Sequence, residues 1–135
     1  MELTGRLLDK TYPTELISTV LRRLKHDGYL SESRFAESFI RSRMKRGESP
    51  QIAAMKARHK GVDEAALQIA LDQALLSYDA DAVCRALLKK RDPQGLRRAD
   101  KRVWQRHARF LQNKGFESAK IVRIMNESVQ FEHDD

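Results

Sequence analysis

Lysine and arginine side chains are concentrated between residues 85 and 109 of this 135-residue chain. The basic residues of this segment are Arg85, Lys89, Lys90, Arg91, Arg97, Arg98, Lys101, Arg102, Arg106 and Arg109. Only Asp92 and Asp100 oppose them, so the segment carries +8 while the whole chain carries +7. Basic side chains that neutralise phosphates release counterions, which favours binding. The segment therefore predicts contact with nucleic acid or with an acidic protein groove, and the alternative is a solvated linker.

A second basic group lies between residues 34 and 46, and its members are Arg34, Arg41, Arg43, Lys45 and Arg46. On a helical wheel Arg34, Arg41 and Lys45 share one polar face, which is either a partner contact or an ordinary solvated face. Arg43 projects from the apolar half instead, where an isolated cation needs an acidic partner or a path to solvent. For Arg43 the alternatives are a salt bridge between repeats and a contact to a binding partner.

The other reactive residue types do not combine into a catalytic or metal site. Trp104 could stack on a nucleic-acid base, but its helical spacing with Val103 and His107 favours a place in the core. Cys84 follows Val83 on an apolar stripe, which favours a packed thiol over a nucleophile. The four histidines lack ligand spacing, and no phosphate-binding loop of the GxxxxGK type occurs. We expect no enzymatic activity, no metal and no cofactor.

Composition narrows the class of protein further. The chain is 41% hydrophobic and 33% charged, with a sequence pI near 9.8, which suits thin helical layers better than one thick core. A single cysteine excludes a disulfide framework within the chain. No apolar run approaches the roughly 20 residues of a membrane span, and the first residues lack the apolar core of a secretory signal. We expect a cytoplasmic protein.

Helices must position the basic residues, because apolar side chains recur at helical spacing and no segment alternates with period two. Three stretches also share one design, in which a helix end, a lysine and a turn precede a second helix. Lys10, Lys60 and Lys114 align these stretches at spacings of 50 and 54 residues. Gly61 and Gly115 suit the left-handed position just past a helix end. Tyr12, Val62 and Phe116 supply the matching apolar residues, and Asp63, Ser118 and the pair Pro13-Thr14 are predicted to begin the second helices.

A weaker match extends the design to a third helix in the first two repeats. Residues 34–43 align with residues 82–91, pairing Phe39 with Leu87 and Ile40 with Leu88. The turn and cap residues of Gly28-Tyr29-Leu30-Ser31 predict a corner before the first of these helices. We predict an all-α protein of tandem three-helix repeats at residues 1–47, 48–96 and 97–135. The first repeat would lack most of its opening helix and the last repeat its third helix.

Short motifs within these predicted repeats resemble the signature of the RecX family. Gly28-Tyr29-Leu30, Arg34-Phe35-Ala36 and the run from Phe39 to Arg43 carry the resemblance. It continues through Arg46-Gly47, Ser49-Pro50, Ile52 and Lys60-Gly61-Val62, and returns at Arg109-Phe110-Leu111, Lys114-Gly115-Phe116 and Ile121. The order and spacing of these motifs cover nearly the whole chain. Against the family pattern, the chain begins inside the helix that precedes the first motif.

The resemblance implies both a shape and a partner. RecX proteins are tandem three-helix repeats in an elongated, curved array that binds along the filament of the RecA recombinase on DNA. They restrain the ATPase, strand exchange and coprotease activities of RecA in recombination, DNA repair and the SOS response. The resemblance also implies weak DNA contact, and we expect a monomer. The candidate binding residues are Arg34, Arg41, Arg43, Lys45, Arg46, Lys89, Lys90, Arg91, Arg97, Arg98, Lys101, Arg102, Arg106 and Arg109.

Two other interpretations remain open at this point. One is a helical DNA-binding protein that acts independently of RecA, because helix pairs joined by glycine corners also occur in helix-turn-helix proteins. The other is a structural scaffold whose basic face has no partner.

Overall fold

A computed structural model describes residues 13–127 and contains helices but no strands in that range. The α-helices are α1 (Thr14–Lys45), α2 (Pro50–His59), α3 (Glu64–Leu75), α4 (Ala80–Arg91), α5 (Lys101–Asn113) and α6 (Ser118–Met125), with a short 3₁₀-helix at Leu96–Arg98 before α5. The predicted all-α class is confirmed. The first predicted corner, at Lys10 and Tyr12, lies outside the described residues. None of the helices between residues 13 and 127 is both long and apolar enough to cross a membrane.

Side chains at the N-termini fix where most of the helices begin. Ser49 accepts a hydrogen bond from the Ile52 amide at α2, and Asp63 accepts one from the Ala66 amide at α3. Such caps satisfy amides that have no partner inside the helix. The predicted cap at Asp63 is therefore confirmed. At α6, however, Ser118 is the first helical residue, and Glu117 precedes it without a side-chain cap bond.

Helix α1 is one continuous helix of 32 residues, about 48 Å long at 1.5 Å per residue. The corner predicted at Gly28-Tyr29-Leu30-Ser31 is wrong. One glycine costs a helix about 1 kcal/mol relative to alanine, and neither a proline nor a packing partner stops helical hydrogen bonds from continuing through it. Much of the apolar surface in the first half of α1 stays exposed, including Leu16, Leu24 and Tyr29.

Two apolar clusters divide the helices into two packing units. The first unit joins the second half of α1 to α2 and α3 around Ile40, Ala57 and Leu67. The second unit joins α4, α5 and α6 around Leu88 and Leu111. These are tandem three-helix units, as predicted. The predicted boundaries after residues 47 and 96 fall inside the two packing units, because both clusters begin with the helix that the prediction assigned to the end of a repeat.

The two units meet where the turn after α1 contacts the turn between α5 and α6. The Ser49 amide donates a 2.8 Å hydrogen bond to the Lys114 carbonyl. Gly115 has φ +101°, and a Cβ at this position would lie 2.2 Å from Ser49 Oγ and 3.0 Å from Ile52 Cβ. The contact therefore needs glycine both for its backbone geometry and for the close approach. We call this contact the inter-unit junction.

Candidate partner-binding surface

Helix α5 presents cations on one side and packs the other side into the second core. Asp100 accepts a hydrogen bond from the Arg102 amide and so begins the helix. His107 and Leu111 are buried, whereas Arg102 and Arg106 are exposed. Arg102 and Arg106 start a row with four-residue spacing that continues through Phe110 to Lys114, just past the helix end. Residues four apart are neighbours on a helix surface, so this row forms one strip.

Helix α4 adds a cation to the same strip. The guanidinium of Arg91, the last residue of α4, lies 4.0 Å from the centroid of the Phe110 ring. The Lys114 ammonium lies 5.5 Å from the same centroid. A cation over an aromatic face is held by the quadrupole of the ring. Phe110 thus fixes Arg91 and Lys114, which belong to different elements, beside each other.

Lys114 extends the strip across the inter-unit junction. Its ammonium donates a 2.9 Å hydrogen bond to the main-chain carbonyl of Arg46, the residue that follows α1. The strip therefore reaches from the second unit to the first, where Lys45 and Arg46 are both exposed. We define the basic ridge as Arg102, Arg106, Phe110, Arg91, Lys114 and Arg46. It contains three members of the group at residues 85–109 and contacts the main chain of Arg46, a member of the group at residues 34–46.

Most of the predicted binding residues are exposed and make no ion pair within the described part of the chain. Among the predicted binding residues, the exposed side chains that make no ion pair with any residue between 13 and 127 are those of Arg34, Arg41, Lys45, Arg46, Lys90, Arg91, Arg98, Lys101, Arg102, Arg106 and Arg109. Lys89 is also exposed. Arg34 is twelve residues before Arg46, which places it about 18 Å away along the helical course. Arg34 is consequently not part of the ridge.

Arg97 was predicted as a binding residue, but the structure buries it, with only 6% of its surface exposed. Its Nη1 donates a 3.1 Å hydrogen bond to the carboxylate of Asp92, and its Nε donates one of 2.9 Å to the carbonyl of Met125. A buried guanidinium with these partners is not available to a ligand. Arg97 instead ties the turn after α4 to the end of α6.

Asp92 is the centre of this buried polar group. Burial by itself would raise the pKa of Asp92, but hydrogen bonds from Arg97 and the Leu96 amide hold it below the usual value. His107 Nε2 lies 3.9 Å from the same carboxylate. Burial lowers the pKa of His107, and Asp92 offsets only part of that effect. The imidazole is therefore neutral at neutral pH and acts as a core residue.

Arg43 makes the predicted salt bridge, which joins the predicted repeats 1–47 and 48–96 but lies within the first packing unit. Its Nη1 lies 3.8 Å from Glu48 Oε2, and Glu48 follows α1 in the same unit. The Arg43 guanidinium and the Lys60 ammonium also lie 5.3 and 5.8 Å from the centroid of Phe39. An arginine and a lysine thus flank a phenylalanine in the first unit, as Arg91 and Lys114 do in the second. Both units carry the same cation–aromatic arrangement.

Three further side chains have structural roles. Arg85 pairs with Glu127 at 2.8 Å, which removes it from the free cations of the segment. Trp104 is half-buried against the second core and its Nε1 lies 3.4 Å from Asn126 Oδ1, so the predicted core role is confirmed. Cys84 is fully buried, and burial raises the pKa of its thiol to about 11. The predicted packed thiol is also confirmed.

Two members of the ridge, Phe110 and Lys114, were not among the predicted binding residues. The signal was present as the four-residue spacing from Arg102 to Lys114. Counting charges in a window does not show it, because Phe110 is neutral and Lys114 lies beyond the dense segment. As for metal sites, no group of three or more His, Cys, Asp or Glu side chains between residues 13 and 127 is arranged to hold an ion.

The two three-helix units match known protein families. The family described as "RecX, second three-helix domain" matches residues 31–71, and "RecX, third three-helix domain" matches residues 79–125. Both ranges coincide closely with the two packing units. No solved structure matches the chain significantly.

Curated relatives agree with the family match over most of the chain. "Regulatory protein RecX" of Halorhodospira halophila is 35% identical over 89% of this chain and 73% of its own length. The protein of the same name from Pseudomonas entomophila is 34% identical, and that from Pseudomonas fluorescens strain SBW25 is 31% identical. Each of these two alignments covers 93% of this chain and 79% of the relative. The chain belongs to the RecX family of regulatory proteins.

Proposed function

We propose that this protein binds the RecA–DNA filament through the basic ridge and restrains the ATPase, strand exchange and coprotease activities of RecA. The protein acts by binding and not by catalysis. The observation that carries the proposal is the continuity of the ridge across the inter-unit junction. The strip of cations on the second unit thereby reaches the main chain of the first unit at Arg46.

The contacts within the ridge favour a rigid binding surface. Arg91 is held on Phe110, and Lys114 is held both by that ring and by the Arg46 carbonyl. Side chains already fixed in this way lose less conformational freedom on binding than free surface lysines. A rigid strip along the filament can contact neighbouring RecA subunits at once, and it then opposes the motions that ATP turnover and strand exchange require.

The experiment is a titration of this protein into RecA assembled on single-stranded DNA, with ATP hydrolysis as the readout. We expect the hydrolysis rate to fall as the protein is added. The variant Arg102→Glu/Arg106→Glu should need at least about tenfold more protein for the same effect, because it reverses two cations of the ridge. A matched control, Arg23→Glu/Lys25→Glu, makes the same charge change on the exposed first half of α1 and should behave like the wild type.

An unchanged hydrolysis rate at a large excess of the wild-type protein would end the proposal. The alternative, DNA binding without RecA, rests on the same unpaired cations and has its own signature. It predicts tight, sequence-dependent binding to duplex DNA in the absence of RecA, whereas our proposal predicts weak binding that salt abolishes.

A further inference from the structure

An open groove separates the second half of α1 from α3 in the first unit. Its volume is about 650 Å³. Its floor is apolar, formed by Ile40, Met44 and Ala70, and Ile69 borders it with half of its side chain exposed. A groove of this size with an aliphatic floor fits a bulky side chain from a ligand.

The second unit shows that the fold does not require this groove. Aligning Ile40 with Leu88 relates α1 to α4, and aligning Gly61 with Gly115 relates α3 to α6. The residue equivalent to Ile69 is then Arg123, which pairs with Asp81 at 2.9 Å.

The equivalents of Glu37 and Gln73, which also border the groove, are Arg85 and Glu127. In the second unit these two residues pair at 2.8 Å and join α4 to the segment just after α6. Ion pairs therefore cross between the helices of the second unit at positions where the first unit has apolar or unpaired residues.

Charge at the rim indicates what the groove receives. Arg41 and Lys45 line it one turn apart on α1, both exposed and without an ion pair to any residue from 13 to 127. Glu37 is the single acidic residue of the lining. The rim therefore favours a negatively charged ligand. The lining contains no aromatic ring on which a base could stack, so the apolar floor fits a protein side chain better than a nucleotide.

We propose that the α1–α3 groove binds a segment of a partner protein in which a bulky apolar side chain is flanked by carboxylates. The apolar side chain enters over Ile40 and Met44, and the carboxylates meet Arg41 and Lys45. This inference rests on the proposed function, because it takes the partner protein to be RecA in the filament. It assigns a specific protein contact to the groove, in addition to the contacts that the basic ridge makes with the filament.

The test measures binding of this protein to RecA filaments on single-stranded DNA and, separately, to the same DNA alone. The variant Ile69→Arg places the second unit's residue in the groove wall. It should weaken filament binding at least about tenfold, as loss of a buried anchor does, even though it adds a positive charge. Val122→Arg is the matched control, because Val122 is an aliphatic residue of similar exposure on α6. It adds the same charge and should not weaken binding.

A second pair of variants tests the rim. Arg41→Glu should weaken filament binding, whereas Arg34→Glu, on the same helix but outside the groove, should have a much smaller effect. Neither Ile69→Arg nor Arg41→Glu should reduce binding to DNA alone by a comparable factor.

The outcomes separate this inference from the proposed function. If the wild-type protein does not bind the filament, the proposed function fails and the groove assignment fails with it. If the wild type binds and both groove variants bind equally well, only the groove assignment is overturned. It is also overturned if the groove variants lose DNA binding to the same extent, or if sedimentation shows that Ile69→Arg converts a dimer of this chain into monomers.

Discussion

The ammonium of Lys114 bonds to the carbonyl of Arg46, 68 positions earlier, at 2.9 Å. The same ammonium lies over Phe110, between the cations of α5 and the end of α1. One side chain therefore takes part both in the ridge that we propose as the binding surface and in the junction that joins the units. Changes at the junction should alter stability and binding together, and the first prediction addresses stability.

Gly115→Ala should destabilise the protein by about 2–4 kcal/mol, because the added methyl meets Ser49 and Ile52 while the backbone keeps a positive φ. The measurement is urea unfolding followed by circular dichroism. Gly61→Ala is the control, since Gly61 has φ +82° but open space around it. The control should lose only about 1 kcal/mol from backbone strain alone. Equal losses in the two variants would show that the close approach at the junction does not matter.

Gly28→Ala should stabilise the protein or leave it unchanged, with a gain of up to about 1 kcal/mol. Gly28 lies inside α1, and a Cβ there meets nothing within 4 Å. Helical content should rise slightly in the same measurement. A clear loss of stability would mean that Gly28 forms a corner after all.

Arg97→Met should cost about 3–5 kcal/mol, because it leaves the buried carboxylate of Asp92 without its charged partner. Arg98→Met removes the neighbouring arginine, which is exposed and makes no ion pair within residues 13–127, and should change stability by no more than about 0.5 kcal/mol. Thermal unfolding of both variants measures the difference. Similar values for the two would contradict the structural role of Arg97.

Stability should fall when the pH drops below 6.5, the ordinary pKa of histidine. Burial lowers the pKa of His107 in the folded protein, so the unfolded chain takes up a proton first and unfolding becomes more favourable. The loss begins near pH 6.5 and ends at the folded pKa. The carboxyl of Asp92, whose pKa is held below 3.8, contributes only at lower pH.

The measurement is the free energy of unfolding at several points between about pH 8 and pH 5, for the wild type and for His107→Gln. The variant should show a flatter profile over this window. A wild type and a variant with parallel profiles would assign the pH dependence to other groups.

Arg106→Gln should reduce the salt dependence of binding to single-stranded DNA by about 0.7 units of slope, as loss of one phosphate contact does. Arg58→Gln is the control, because Glu64 already pairs with the Arg58 guanidinium at 3.0 Å. Its slope should stay close to that of the wild type. Fluorescence anisotropy at a series of salt concentrations gives both slopes.

Local signals made much of this fold predictable. Asp63, Gly61 and Gly115 act within a few residues of the helix ends that they define, so their roles can be read from the sequence. The spacing of Trp104 and His107 likewise identified the buried side of α5. The corner predicted at Gly28 was wrong because local turn preference competed with helix propagation, and no contact in the described structure favours the turn.

The burial of Arg97 could not be predicted, because it depends on Asp92 and on a carbonyl near the end of α6. The sequence shows only another arginine in a basic segment. The inter-unit junction is equally hidden, since it joins the turn at Ser49 to one at Lys114. Contacts between distant turns leave no periodic pattern in the sequence. The basic ridge was predictable only in part. Its four-residue spacing is visible in the sequence, but its contact with Arg46 is not.

The small inter-unit junction has a consequence for how the chain unfolds. Each three-helix unit has its own apolar cluster, and the turns at Ser49 and Lys114 provide the hydrogen bonds between them. In an array of repeats, the energy of such interfaces decides whether the units melt together or one at a time. Gly47 also approaches the side chain of Leu87 on α4. We therefore expect that weakening the contacts of Ser49, Lys114 and Gly115 reduces the cooperativity of unfolding and broadens the melting transition or splits it into two.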